Sequence, residues 1–182
     1  MSVASELFYK QGYRATGINE VIKKSGVAKA TFYNHFPTKD DLCKVYLEGV
    51  VAKELSMLDG LLATLKKPEA RFVAAIEWLK PWLIGTEFRG CAFLHTVAEV
   101  PDANSPLRME GKKLYSGVRE RVEVLCQELV ASDKKQYGHL DVTRLADAYM
   151  VVFGGTIALA EIYHADWPVD HGVKTLMALI GK

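Results

Sequence analysis

With 182 residues, 49% hydrophobic and 25% charged, the chain has the makings of an ordinary soluble globular protein of one large domain or two small ones. A net charge of +1 excludes nucleic-acid binding by bulk charge, so any positive field must be local. Three widely spaced cysteines, Cys43, Cys91 and Cys126, argue against a disulfide framework or a zinc ribbon and fit a reducing cytoplasm. No signal peptide is seen, and the longest uncharged C-terminal stretch, Ala148 to Ala160, reads as too short to span a bilayer, so no membrane association is expected.

Residues 2 to 12 read as a helix with Val3, Ala4, Leu7 and Phe8 on one face and Gly12 as its stop. Ile18, Val21 and Ile22 recur at helical spacing in a second helix. Gly26 is suited to the left-handed conformation that closes it. A third helix, about Lys29 to Phe36, buries Phe32 and Phe36 and leaves Lys29, Thr31, Tyr33, Asn34 and His35 outside, until Pro37 breaks it. Thr38 with Asp41 three residues on forms an approximate capping box for a long helix from Lys39 to about Lys66. Two short helices around a tight turn, followed by a long one, is the layout of a helix-turn-helix whose second helix enters the major groove. Residues 1 to 50 carry only a modest excess of basic side chains, which a dimer would double.

Pro68 opens the next helix where its missing N–H costs little, and Pro81 should kink or end it. Arg89 to Glu99 reads as a short, mostly buried helix, and 101–106 as a loop. Leu114, Val118, Val122, Leu125 and Leu129 mark a long amphipathic helix from Leu107 to Ser132, followed by a loop at 137–139. Val142 to His164 is apolar nearly all round and must be covered on two sides, with Gly154-Gly155 permitting close approach of another backbone. A last helix, about Val169 to Ile180, presents Val173, Leu176, Met177 and Ile180. The expectation is an all-α protein of about nine helices in two domains: a three-helix domain with the helix-turn-helix over 1–48 and a larger helical domain over 49–182.

The residue order ELFYKQGYRATGINEVIKKSGVAKATFYNHFPTKDDL resembles the N-terminal DNA-binding domain of TetR-family transcriptional regulators, closely over about the first 50 residues and by helix layout beyond them. The resemblance implies that Lys29 and Asn34 reach base edges, Lys to guanine and Asn to adenine. It implies phosphate contacts from Thr31, Tyr33, His35 and Lys39, and a possible base contact from Asn19. The helix N-terminus near Thr16 and Gly17 would offer N–H groups to a phosphate. Ala28 stands where the family often has Ser and gives a poor cap. The function implied is a ligand-responsive repressor that binds double-stranded operator DNA as a homodimer, with no cofactor and no catalytic residue.

The C-terminal candidates are weaker. Trp78, Trp82, Phe93, Tyr115, Tyr149 and Phe153, with His95 and Glu99, are the candidate lining for a small apolar or aromatic effector, although a helical aromatic stripe is equally plain core. Gly155, Leu159, Ile162, Val173, Leu176 and Ile180 are the candidate dimer surface. Cys91, His95 and Glu99 share one helix face at i, i+4 and i+8, which suggests a metal site or a Cys/His nucleophile. A straight helix, however, spreads them over about 12 Å, and pairing of Glu99 with Arg108 is the expected alternative. His164, Asp166, Asp170 and His171 suit a transition metal by residue type but lie where solvated loop residues usually lie. The rival functions are an enzyme using Cys91 and His95, or a module that binds DNA or protein without sequence preference.

Overall fold

The computed structural model describes residues 1–182 and contains helices and no strands. The helices run α1 (Ser2–Gln11), α2 (Ile18–Ser25), α3 (Lys29–His35), α4 (Lys39–Thr64), α5 (Pro68–Glu77), α6 (Leu79–Gly85), α7 (Ala92–Glu99), α8 (Pro106–Ser132), α9 (Lys134–Tyr137), α10 (Val142–Tyr163) and α11 (Trp167–Leu179). The count exceeds the expected nine for two local reasons. Pro81 has no N–H to donate to the carbonyl of Glu77 behind it, so α5 ends at Glu77 and α6 restarts at Leu79. Asp133 accepts from the N–H groups of Lys135 and Gln136, which winds the extra turn α9 out of the expected loop.

The chain packs as two compact units, Met1–Glu54 with Cys91–Tyr115, and Leu55–Gly90 with Ser116–Lys182. The first unit therefore holds α1 to α3, the beginnings of α4 and α8, and all of α7. Its core contains Leu7, Phe8, Val21, Phe32, Leu42, Leu47, Phe93 and Leu107, each under one-tenth exposed. The stop and start signals work as physical devices here. Gly26 adopts φ 69° and its N–H donates to the carbonyl of Ile22. Thr38 and Asp41 cap each other: the Thr38 N–H donates to Asp41 at 3.0 Å and the Asp41 N–H donates to the Thr38 hydroxyl at 3.1 Å.

In the second unit α10 packs on α11 and α6, and α11 packs on α5. Gly172 provides the close approach: a Cβ there would lie 2.7 Å from Thr156 Oγ1 and 3.2 Å from Ile76. Gly154 and Gly155, expected to do this, have nothing of the chain within 4 Å of a Cβ, and Gly155 faces outward. Leu176 on the inner face of α11 and Ile180, the residue that caps its C-terminus, are 0% and 2% exposed. That corrects their expected place on the dimer surface, because a side chain enclosed by its own unit has no face left for a second chain. The outward stripe of α11 is instead Trp167, His171, Thr175 and Leu179. Helix α10 has 22 residues, with a mean hydropathy of 1.5 over an 18-residue window, long and apolar enough by length and composition to cross a membrane, which the uncharged run alone understated. Its inner half is protein core, with Leu145, Tyr149, Phe153, Ile157 and Ala160 buried.

Tyr149 is fully buried, edge-on to Phe72 at 5.4 Å, and its hydroxyl has no hydrogen bond of good geometry. Burial pushes its phenol well above the ordinary range, with the amides of Ile76 and Ala75 nearby pulling the other way. Tyr149→Phe removes only that hydroxyl. Its expected effect in a chemical-denaturation experiment is a stability unchanged or raised by up to about 1 kcal/mol; a clear loss would reveal a partner for the hydroxyl in solution.

Candidate nucleic-acid interface

The exposed surface of α3 is built around one anchor. Phe32 is 5% exposed and meets Phe36 at 5.7 Å, which fixes the helix against its unit. The remaining positions, Lys29, Thr31, Tyr33, Asn34 and His35, are exposed. Tyr33 leans edge-on against Phe32 at 5.5 Å, so its ring is braced while its hydroxyl is free to reach outward. Lys29, Thr31 and Asn34 spend no side-chain polar atom within the chain. One short helix thus presents an ammonium, two hydroxyls, an amide and an imidazole together. Such a set can read base edges and hold phosphates.

Helix α2 adds Asn19, exposed on its first turn, and Gly17 as an N-cap with no side chain over the free amides. Ala28 likewise offers α3 no side-chain cap. The basic residues around α2 are partly committed: Lys24 pairs with Glu20 at 2.9 Å and Lys10 with Glu6 at 2.9 Å. Both pairs are surface pairs whose lysines salt or a phosphate can draw away.

Two expected contact residues have inward tasks. Thr16 is 1% exposed, and its hydroxyl donates to the Gly12 carbonyl at 2.7 Å. Its side chain therefore holds the turn between α1 and α2, and only its backbone could meet a phosphate. Lys39 donates to the Arg14 carbonyl at 3.1 Å and lies 4.4 Å over the Tyr13 ring. The Tyr13 hydroxyl in turn donates to Asp40, and burial together with that carboxylate pushes the phenol above its ordinary range. The same turn has a further support from far along the sequence. The Arg14 N–H donates to the Glu99 carboxylate at the end of α7, and that carboxylate fills the space beside Gly12, where a Cβ would lie 2.2 Å from Oε1. Glu99 is thus not paired with Arg108, whose guanidinium donates instead to the carbonyls of Val97 at 2.8 Å and Val100 at 2.9 Å. Sequence reading missed the Glu99 seat; Gly12 with φ 89° was its one local trace.

The other candidates are dispersed. Cys91 precedes α7 as its N-cap rather than lying within a helix from Arg89, because the backbone turns through positive φ at Glu87, Phe88 and Gly90. Its thiol is buried and pushed upward by that burial, beside the Tyr115 hydroxyl, so it is a poor nucleophile. His95 is half-buried on α7 and Phe93 is 2% exposed. In the second unit Trp78 and Trp82 stack at 6.0 Å, both half-buried, while Phe153 is buried beside Tyr149 on α10. Asp166 and Asp170 both hold Lys80, at 3.2 and 3.0 Å, and the His164 and His171 rings rest on Phe88 and Trp167.

Comparison with known proteins places this geometry among relatives. The family model for bacterial regulatory proteins of the tetR family matches residues 1–45. An uncharacterized HTH-type transcriptional regulator in the lacX 3' region of Lactococcus lactis subsp. lactis is 23% identical over 124 residues, 67% of this chain and 63% of that one. The HTH-type transcriptional regulator LmrA of Bacillus subtilis is 51% identical over 101 residues, 48% of this chain and 54% of that one. The match thus spans only about half to three-fifths of those relatives' own length. Reduced NemR from E. coli superposes with a TM-score of 0.82, covering 98% of this chain and 93% of that one, and at 20% identity this likeness shows the fold alone.

Proposed function

The chain belongs to the TetR family of bacterial regulatory proteins, and on that premise we propose that it is a ligand-responsive transcriptional repressor acting in the cytoplasm, binding a near-palindromic operator as a homodimer. The observation that carries the reading is the exposed set on α3 around buried Phe32. Lys29 and Asn34 are the base readers. Thr31, Tyr33 and His35 take phosphates, and the bare N-terminus of α2 at Gly17, with Asn19 beside it, completes the contact. Lys39 contributes at one remove, by holding the Arg14 carbonyl and so the angle at which α2 leaves the turn.

Two recognition helices must lie about one helical turn or a multiple apart on the duplex, which requires a dimer. The apolar outward faces of α10 and α11, centred on Gly155, Leu159 and Ile162, are the proposed dimer surface. Small-molecule control follows if an effector prefers one arrangement of the two DNA-binding units, because only a difference in affinity between states shifts their populations. Nothing favours the thiol-enzyme alternative, since Cys91 is buried and disfavoured as a thiolate.

A randomised-site selection followed by affinity measurements tests the reading. Lys29→Ala and Asn34→Ala should each relax preference at one base position by about 1–3 kcal/mol. Lys39→Ala should weaken all sites alike. If both recognition-helix variants select the same site as the parent protein, α3 does not read sequence.

A further inference from the structure

The first unit contains a cleft of about 340 Å³ between α7 and the opening turns of α8, roomy enough for a small organic ligand. Leu94, Val97, Met109 and Tyr115 make its walls largely apolar, and Arg108 and Lys112 add two cations. Neither cation faces a carboxylate at ion-pair distance. Arg108 spends one nitrogen on the Val97 and Val100 carbonyls. On the neighbouring position Lys113 is neutralised by buried Glu110 at 2.6 Å, which leaves Lys112 as the unmatched charge. The nearby acid on the rim loop, Asp102, accepts from the Asn104 N–H in its own turn. Apolar walls with an uncompensated positive charge are complementary to one chemical class: a hydrophobic body carrying a carboxylate.

The cleft is also placed to be felt by the helix-turn-helix, within the same compact unit. Arg108 holds the carbonyls of the last turn of α7, and Glu99 in that turn holds the Arg14 N–H and the space beside Gly12. An anion that draws on Arg108 acts on the turn of helix that seats the α1–α2 connection. We infer that the α7–α8 cleft is an effector site for a hydrophobic carboxylate, coupled to DNA binding through Arg108, the end of α7 and Glu99. The coupling rests on the regulatory reading given above; the binding site does not.

Calorimetry on the full chain with 2-naphthoate, and with 2-naphthalenemethanol and 2-naphthylmethylamine as neutral and cationic matches, decides the site. Naphthoate should bind about tenfold or more tighter than either match. Lys112→Glu, at an exposed position, should weaken it about fivefold, and Leu94→Trp, which fills the cleft, should abolish it. Absence of naphthoate binding, equal binding of the alcohol, or binding indifferent to both substitutions overturns the proposal. Operator titration of the same samples decides the coupling: naphthoate should change the DNA affinity of the parent protein and leave that of Glu99→Ala, which removes the carboxylate that holds the Arg14 N–H, unchanged, although Glu99→Ala binds naphthoate normally. An equal response in both overturns the link through Glu99. A chain that binds no DNA at all refutes the regulatory reading, and calorimetry then still settles the cleft.

Discussion

Gly12→Ala is expected to destabilise the N-terminal unit by about 3 kcal/mol or more and to weaken every operator in proportion. Two independent effects combine. Gly12 has φ 89° and ψ 173°, a backbone region that is essentially confined to glycine; holding alanine there costs about 1–3 kcal/mol. The new Cβ would also lie 2.2 Å from Glu99 Oε1, so the carboxylate must withdraw from the Arg14 N–H. Loss of a hydrogen bond to a charged acceptor adds about 1.5–3 kcal/mol. The two parts separate in a double-mutant cycle by chemical denaturation. In a Glu99→Ala background, Gly12→Ala should show the backbone part alone, and the difference measures the Glu99 contact. An identical loss in both backgrounds would mean that Glu99 does not occupy this seat in solution.

That turn also shows where a sequence speaks and where it is silent. Gly26, the Phe32 and Phe36 pair, the Thr38 and Asp41 cap and Pro68 are local devices, each acting on backbone within four residues, so each is legible in order along the chain. The seat of Glu99 joins positions 85 residues apart, and no periodicity encodes it. Another non-local pairing commits the Lys39 ammonium to the Arg14 carbonyl, 25 positions away, whereas the Thr16 hydroxyl bond to Gly12 spans only four residues and leaves the backbone N–H groups near Gly17 as they were expected. On α11 the apolar stripe of Leu176 and Ile180 was visible, but a stripe does not say whether its own unit or a second copy covers it. The structure gives that stripe to the core. The turn at Glu87 and Phe88 was hidden for another reason: both take positive φ without being glycine, and Glu161 fills the place of a Cβ at Gly90. Only the fold around such a turn specifies it.

Ile162→Glu together with Val151→Glu should convert the protein to a monomer and reduce operator affinity on the order of a thousandfold. Val151 and Ile162 are 75% and 72% exposed on α10, with Leu159 at 40% between them and Gly155 open beside them. These positions fall on one helical stripe, continued on α11 by Trp167 and Leu179, 42% and 41% exposed. Large apolar side chains exposed along one helical stripe mark an interaction surface. In a two-fold interface every residue appears twice, so two substitutions remove four apolar side chains and introduce four carboxylates near the symmetry axis. Burying each aliphatic side chain contributes about 1.5–3 kcal/mol, so the lost apolar burial alone exceeds the roughly 4 kcal/mol that a thousandfold change requires. Because the replaced side chains are exposed in the single chain, the thermal melt of the monomer should retain its helical signal. Leu176→Ala is the contrasting control: it should lower stability by about 2–5 kcal/mol through a core cavity, without a specific effect on association. Sedimentation velocity and operator titration read both. If the doubly charged variant still sediments as a dimer, the subunits meet on a different face and α10 must expose its apolar stripe for another partner.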